Sequence, residues 1–152
     1  TAMPTASQLT SIVETTAVAV AAAGEAPVLL RYDEQSLVLV NQSKRPVDVS
    51  SLTFVQTKAD GSKLTFESSR WAGGSKPTAA LPAGDCFQVQ RNDIPQLNEP
   101  AFCDLQSWSR VSFPRWFWYS EDEAATFEVR RDDTVLAACS ISAGECALEL
   151  NG

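Results

Sequence analysis

The run LVLVNQSKRPVDVSSLTF, residues 37–54, constrains the fold more than any other stretch. It opens with apolar β-formers at every position from Leu37 to Val40. A polar segment, Asn41 to Arg45, follows. Val47 and Val49 then alternate with Asp48 and Ser50, and Leu52, Phe54 and Val55 resume the apolar signal. The pattern reads as a strand, a turn and more extended chain. Asn and Ser favour the turn because their short side chains bond nearby backbone. Pro46 has no amide hydrogen and biases Arg45 toward extended geometry. A segment built this way belongs to the inner part of a small β domain.

The rest of the chain extends the same reading. Val28, Leu30 and Tyr32 alternate as a first firm strand, and a turn at residues 33–36 leads into Leu37. Asp60-Gly61 is the strongest local hairpin signal. Leu64 and Phe66 alternate beyond it. Gly73-Gly74 lies in a loop and lacks the strand-to-helix setting of a phosphate cradle. Leu81, Gly84 and Cys86 are echoed by Ile141, Gly144 and Cys146, so each glycine is expected to make a tight connection into a strand. Residues 92–104 are polar, contain Pro95 and Pro100, and read as a loop. Phe127 and Val129 restore the alternation, Asp132-Asp133 turns the chain, and two short strands end it. About eight to ten short strands without a long helix predict an all-β fold, an antiparallel β-sandwich over residues 28–152. Residues 1–27 are rich in Thr, Ala, Ser and Pro and read as a flexible linker or stalk, with Val18 and Val20 as the place for one added strand.

Three short motifs together resemble the lamin-tail-like domain, an immunoglobulin-like sandwich. A strand ends in Asn at Val38 to Asn41. The VDLSGW-like run is matched by Val47-Asp48-Val49-Ser50-Ser51-Leu52, and the LPPG-like turn by Leu81-Pro82-Ala83-Gly84. Ser51 stands where the pattern has Gly, and Leu52 where it has Trp. The likeness covers residues 28–89 and fades beyond. It implies a sandwich; the family spans nuclear, secreted and surface proteins, so it implies no single activity.

Composition narrows function by exclusion. A chain of 152 residues is the size of one domain. A net charge of -7 disfavours a nucleic-acid partner, which needs concentrated positive charge. The chain has no histidine, so no Ser-His-Asp or Cys-His apparatus exists within it. No cofactor is expected. No apolar run is long enough for a membrane-spanning helix. The four cysteines form no CxxC pair, and an even count in a compact domain fits disulfides. Three pairings exist. Cys86–Cys103, which flank a polar loop, and Cys139–Cys146, which flank a chain reversal at Ala143-Gly144, are preferred. Disulfides place the chain outside the cell, in a periplasm or at a cell surface.

The candidate interface is aromatic: Trp116, Trp118 and Tyr119, within the run Trp116-Phe117-Trp118-Tyr119. In a strand, Trp116 and Trp118 would share one face, and Phe117 and Tyr119 the other. At least one face packs inward. The exposure of Trp71, Trp108, Trp116 and Trp118 decides between core and binding surface. Glu121-Asp122-Glu123 and Asp132-Asp133 lack the ligand spacing of a calcium loop and read as solvated turns. Asp48 and Asp85 are expected to cap backbone donors. Asn41-Gln42-Ser43 satisfies the glycosylation sequon at an expected turn where access is plausible, and its simpler role is that of a turn residue. The expected function is a noncatalytic adhesion, scaffold or protein-interaction module with a protein partner. The alternative is a carbohydrate-binding accessory domain using exposed aromatic rings.

Overall fold

The computed structural model describes residues 26–150. Nine strands occur among the described residues: β1 (Val28–Tyr32), β2 (Ser36–Asn41), β3 (Leu52–Thr57), β4 (Lys63–Glu67), β5 (Asp85–Arg91), β6 (Asp104–Val111), β7 (Thr126–Arg131), β8 (Thr134–Ser140) and β9 (Glu145–Leu148). They form a five-stranded sheet, β6-β5-β2-β1-β9, and a four-stranded sheet, β4-β3-β7-β8. The expected all-β sandwich is the fold. The stalk assigned to residues 1–27 lies outside the described residues, except for Ala26 and Pro27. Ala26 is buried, and the carbonyls of both accept bonds from Gln42.

Side-chain alternation explains the packing. Val28, Leu30 and Tyr32 of β1, Leu37 and Leu39 of β2, and Phe87 and Val89 of β5 point inward from one sheet. Leu52 and Phe54, Leu64 and Phe66, and Phe127 and Val129 meet them from the other. The β2 sequence is apolar at consecutive positions because both of its faces are covered. Val38 and Val40 point away from the main core into a second cluster with Cys86, closed by Leu29, Cys103 and Leu105. Residues 92–103 therefore fold back over the outside of the five-stranded sheet.

That loop sets the direction of β6. β6 pairs with β5 in parallel, Asp85 opposite Asp104 and Arg91 opposite Val111, the one parallel pair in the largely antiparallel sandwich of the described residues. A parallel neighbour needs a crossover long enough to return to the start of the preceding strand. Residues 92–103 provide it, and Cys86–Cys103 ties its end beside the beginning of β5. The second expected pair, Cys139–Cys146, joins β8 to β9 at the edge shared by the two sheets. Chain-closure entropy makes the longer link worth about 3 kcal/mol and the shorter about 2.5 kcal/mol. The variant C86A/C103A is thus expected to lower urea-unfolding stability by about 3 kcal/mol. An unchanged midpoint would show that the crossover needs no covalent tie.

One further expectation, a capping role for Asp85, needs correction. Val47 and Val49, read as more extended chain after the turn, belong to none of the nine strands. Val47 forms a single bridge with Leu81, while Val49 bonds Thr78 and is buried. Pro46 and the polar residues before it leave too little unbroken chain for a ladder. Asp48 caps as expected, accepting from the Ser50 amide and hydroxyl, and the hydroxyl bond holds its carboxyl below the usual range. Asp85 caps no backbone donor among the described residues. It is a buried strand residue whose carboxyl is pushed up by burial and by neighbouring Asp104, with Lys76 opposing.

Candidate functional site

The aromatic run is a loop, and this corrects the strand geometry expected for it. Pro114 starts a single 3-10 turn at Phe113–Arg115, and Trp116 closes it by donating its backbone N–H to Phe113. Tyr119 then donates back to the Trp116 carbonyl at 3.2 Å. The chain thereby coils through the run, and alternate residues no longer share a face. Phe117 and Trp118 enter the core, Trp118 with 1% of its surface exposed. Trp116 and Tyr119, three positions apart, remain half-buried and meet edge to face at 6.3 Å. Phe113 is 47% exposed and contacts Trp116 edge to face at 5.4 Å. Of the sequence-selected set, Trp116 and Tyr119 reach the surface together and Trp118 does not. Trp71 is fully buried, and Trp108, 46% exposed, stands apart on β6. A solvent-facing strip of tryptophans is not formed.

Three features fix this surface. Gln56, buried on the core-facing side of β3, donates Nε2–H bonds of 2.9 Å to the carbonyls of Phe117 and Tyr119. Trp116 donates Nε1–H to the Val111 carbonyl at 2.7 Å. Arg91 lies over both outer rings, 4.3 Å from the centre of Trp116 and 4.9 Å from that of Tyr119. Asp93 holds Arg91 from the side at 2.8 Å and raises its affinity for its proton. Such cation–π stacking stiffens exposed rings as well as stabilising them. Lys58 takes the corresponding place over Phe113 at 5.0 Å.

Two hollows flank the ridge, with Tyr119, Ser120 and Glu121 in the wall of each. One, of about 300 Å³, lies toward Gln56, Lys58 and Phe113. The other, of about 360 Å³, lies toward Asp33 and Glu34 of the β1–β2 turn and includes Trp118 and Ile141. Tyr32 forms part of its floor and donates its hydroxyl to the Ser140 carbonyl at 2.6 Å. Burial, with a contribution from Glu145, pushes this phenol up to about 12, so Tyr32 stays neutral there.

Sequence reasoning missed Gln56, Arg91, Asp33 and Glu34 as members of this region. Gln56 had a signal, a polar residue where the Leu52–Phe54 alternation calls for an apolar one. The others reach the loop only through the fold. The access expected for the sequon asparagine is corrected, while its simpler turn role stands: Asn41 is fully buried, and its amide nitrogen is committed to the Arg45 and Leu81 carbonyls at 2.7 and 2.9 Å. It is a structural strand end and not an accessible acceptor. No family model matches the chain, and comparison with curated proteins finds no match.

Proposed function

We propose that the chain is a noncatalytic β-sandwich module of the lamin-tail-like kind that acts by protein contact outside the cell or at its surface. The observation that carries this reading is the ridge of Phe113, Trp116 and Tyr119. It sets an exposed ring beside two half-buried ones, backed by Arg91 and pinned from below by Gln56. Aromatic rings held in place lose little entropy on binding, which suits them to anchor a partner. Ser51 supports the family resemblance. Its φ of 58° lies in the left-handed region that favours the glycine of the pattern, and Leu52 occupies the core where the pattern has Trp. The two disulfides support an oxidising location.

The test compares the natural chain with Phe113→Ala as baits on native surface extracts. Phe113 is exposed, so its loss should shift stability by less than about 1 kcal/mol. A saturable protein partner is expected, with at least about tenfold weaker retention by the variant, as for a central aromatic anchor. Equal retention by both baits would remove the ridge from the reading. Specific glycan-array binding in place of a protein partner would transfer the module to the carbohydrate class. Turnover abolished by a single Asp or Glu substitution would make it an enzyme.

A further inference from the structure

Tyr119 divides two hollows that both carry apolar lining. Leu64 and Phe113 line the one of about 300 Å³, and Ile141 the one of about 360 Å³. Tyr119, Ser120 and Glu121 wall both, so a ligand that fills the pair must straddle the Tyr119 ring. Arg91 stacks on that ring and lines neither hollow, so it steadies the divider and leaves both sides open.

The backbone of the divider limits what can bind. The Tyr119 N–H donates to the Trp116 carbonyl, and the Tyr119 carbonyl accepts from Gln56. Residues 116–125 belong to no strand, so a partner running across them as extended β-chain gains no ladder. A sugar face finds no flat platform either, because Trp116 stands at 82° to Phe113 and 84° to Tyr119. A polyproline II segment asks for neither. Its backbone stays solvated, and its residues i and i+3 fall on one face about 9 Å apart. Its prolines bring compact apolar rings and no N–H to satisfy. Aromatic-lined grooves are the general setting in which such segments dock. Charge then selects the flank. Asp33, Glu34, Glu121 and Asp122 line the pair of hollows against Lys58 alone. None of these five joins the ion pairs seen among the described residues, Arg91–Asp93 and Arg130–Glu128. An acidic peptide is repelled there, and a basic residue beside the prolines is drawn in.

We propose that the two hollows bind a proline-rich segment of a protein partner in the polyproline II conformation. Prolines at i and i+3 sit on either side of Tyr119, and a flanking lysine or arginine meets the carboxylates. The proposal rests on the protein-contact reading and names the chemistry of the partner. Both surfaces are held before they meet, the rings by Arg91 and Gln56 and the peptide by its own prolines, so little conformational entropy is lost.

The test titrates the full ¹⁵N-labelled chain with three capped peptides: hexaproline flanked by arginines, hexaproline flanked by glutamates, and an alternating Gly-Ser hexapeptide flanked by arginines. The backbone amide signals of Ser120 and Glu121, which wall both hollows, are the readout. The arginine-flanked hexaproline is expected to move them saturably. The Gly-Ser peptide should bind at least about tenfold more weakly, since it lacks the apolar rings that anchor the contact. The glutamate-flanked peptide should bind at least about fivefold more weakly at low salt, where surface charges act most strongly. Phe113→Ala, which removes one wall, should weaken the arginine-flanked hexaproline at least about fivefold. Equal affinity for the Gly-Ser peptide would reduce the contact to charge alone and overturn the proposal. Equal affinity for the glutamate-flanked peptide, unchanged affinity in Phe113→Ala, or unmoved signals at millimolar peptide would each overturn it too. So would shifts of the same amides that follow the protein's own concentration without peptide, which would give the hollows to a second copy. Failure of the peptides leaves Phe113-dependent capture of a different partner untouched, so the two readings fall separately.

Discussion

Replacing Phe117 with alanine is expected to destabilise the chain by about 3–5 kcal/mol, the range for removing a fully buried aromatic ring. Phe117 is the point where the surface loop is joined to the core. Its ring stacks on Phe54 at 4.8 Å, lies 6.0 Å from Phe66, and meets Phe127 edge to face at 5.1 Å and Trp118 at 5.3 Å. Its carbonyl is one of the two that Gln56 holds. Phe54 and Phe66 come from adjacent strands β3 and β4, and Phe127 from β7, so the cavity would open in the middle of the four-stranded sheet. That layer cannot collapse onto the hole without breaking its own ladders. A melting temperature lower by roughly 10–20 °C is the matching thermal expectation. Phe113→Ala, four positions away, is the control, because an exposed ring gives up little burial. Urea unfolding of the two variants decides the matter. Equal losses would show that Phe117 is not the anchor of the loop.

The contrast between these two phenylalanines also shows where the sequence was legible. Period-two alternation locates strands because one face must meet the core, and it located β1, β3, β4 and β7 with small boundary errors. The consecutive apolar residues of β2 marked a strand covered on both sides. Alternation carries no information about direction, however, so the parallel β5–β6 pair was not readable from it. The cysteine spacing was more informative: a link from the start of β5 to the residue before β6 is what a returning crossover needs. The aromatic run misled for a different reason. Trp, Phe and Tyr have strong β preference, yet Pro114 has a fixed φ and no N–H, and it suits the first turn of a helix-like coil. Local backbone chemistry overrode side-chain preference, and it decided which rings face solvent. The hollow beside Tyr119 was beyond reach, since Asp33 and Glu34 come to line it only after the sheets have paired.

The substitution Asn41→Asp is expected to cost about 3–5 kcal/mol at neutral pH, as for an uncompensated buried charge, despite a change of one atom. Asn41 has 0% exposure at the end of β2. Its Nδ2 donates to the carbonyls of Arg45 and Leu81 at 2.7 and 2.9 Å. Its Oδ1 accepts from the Ser43 amide at 2.9 Å and the Ser43 hydroxyl at 2.7 Å. One side chain thus closes the turn that follows β2 and fastens it to the segment leading into β5. Aspartate would set an oxygen against two carbonyl oxygens. When protonated it can donate to one of them and leaves the other without a partner. When ionised it repels both. The folded state therefore holds the proton of the introduced carboxyl more tightly than the unfolded chain, where that group titrates near about 3.9. Above that value the folded state binds more protons than the unfolded state, so stability must fall as pH rises, until the raised folded pKa is passed. Below about pH 4 the deficit should shrink to about 1–3 kcal/mol, the cost of one orphaned carbonyl. Urea unfolding of both chains at pH 4 and pH 7 measures the difference directly. A deficit that stayed constant with pH, or that grew toward acid, would mean that the carboxylate finds water or a cation, and that the Asn41 junction is more open than its hydrogen bonds imply.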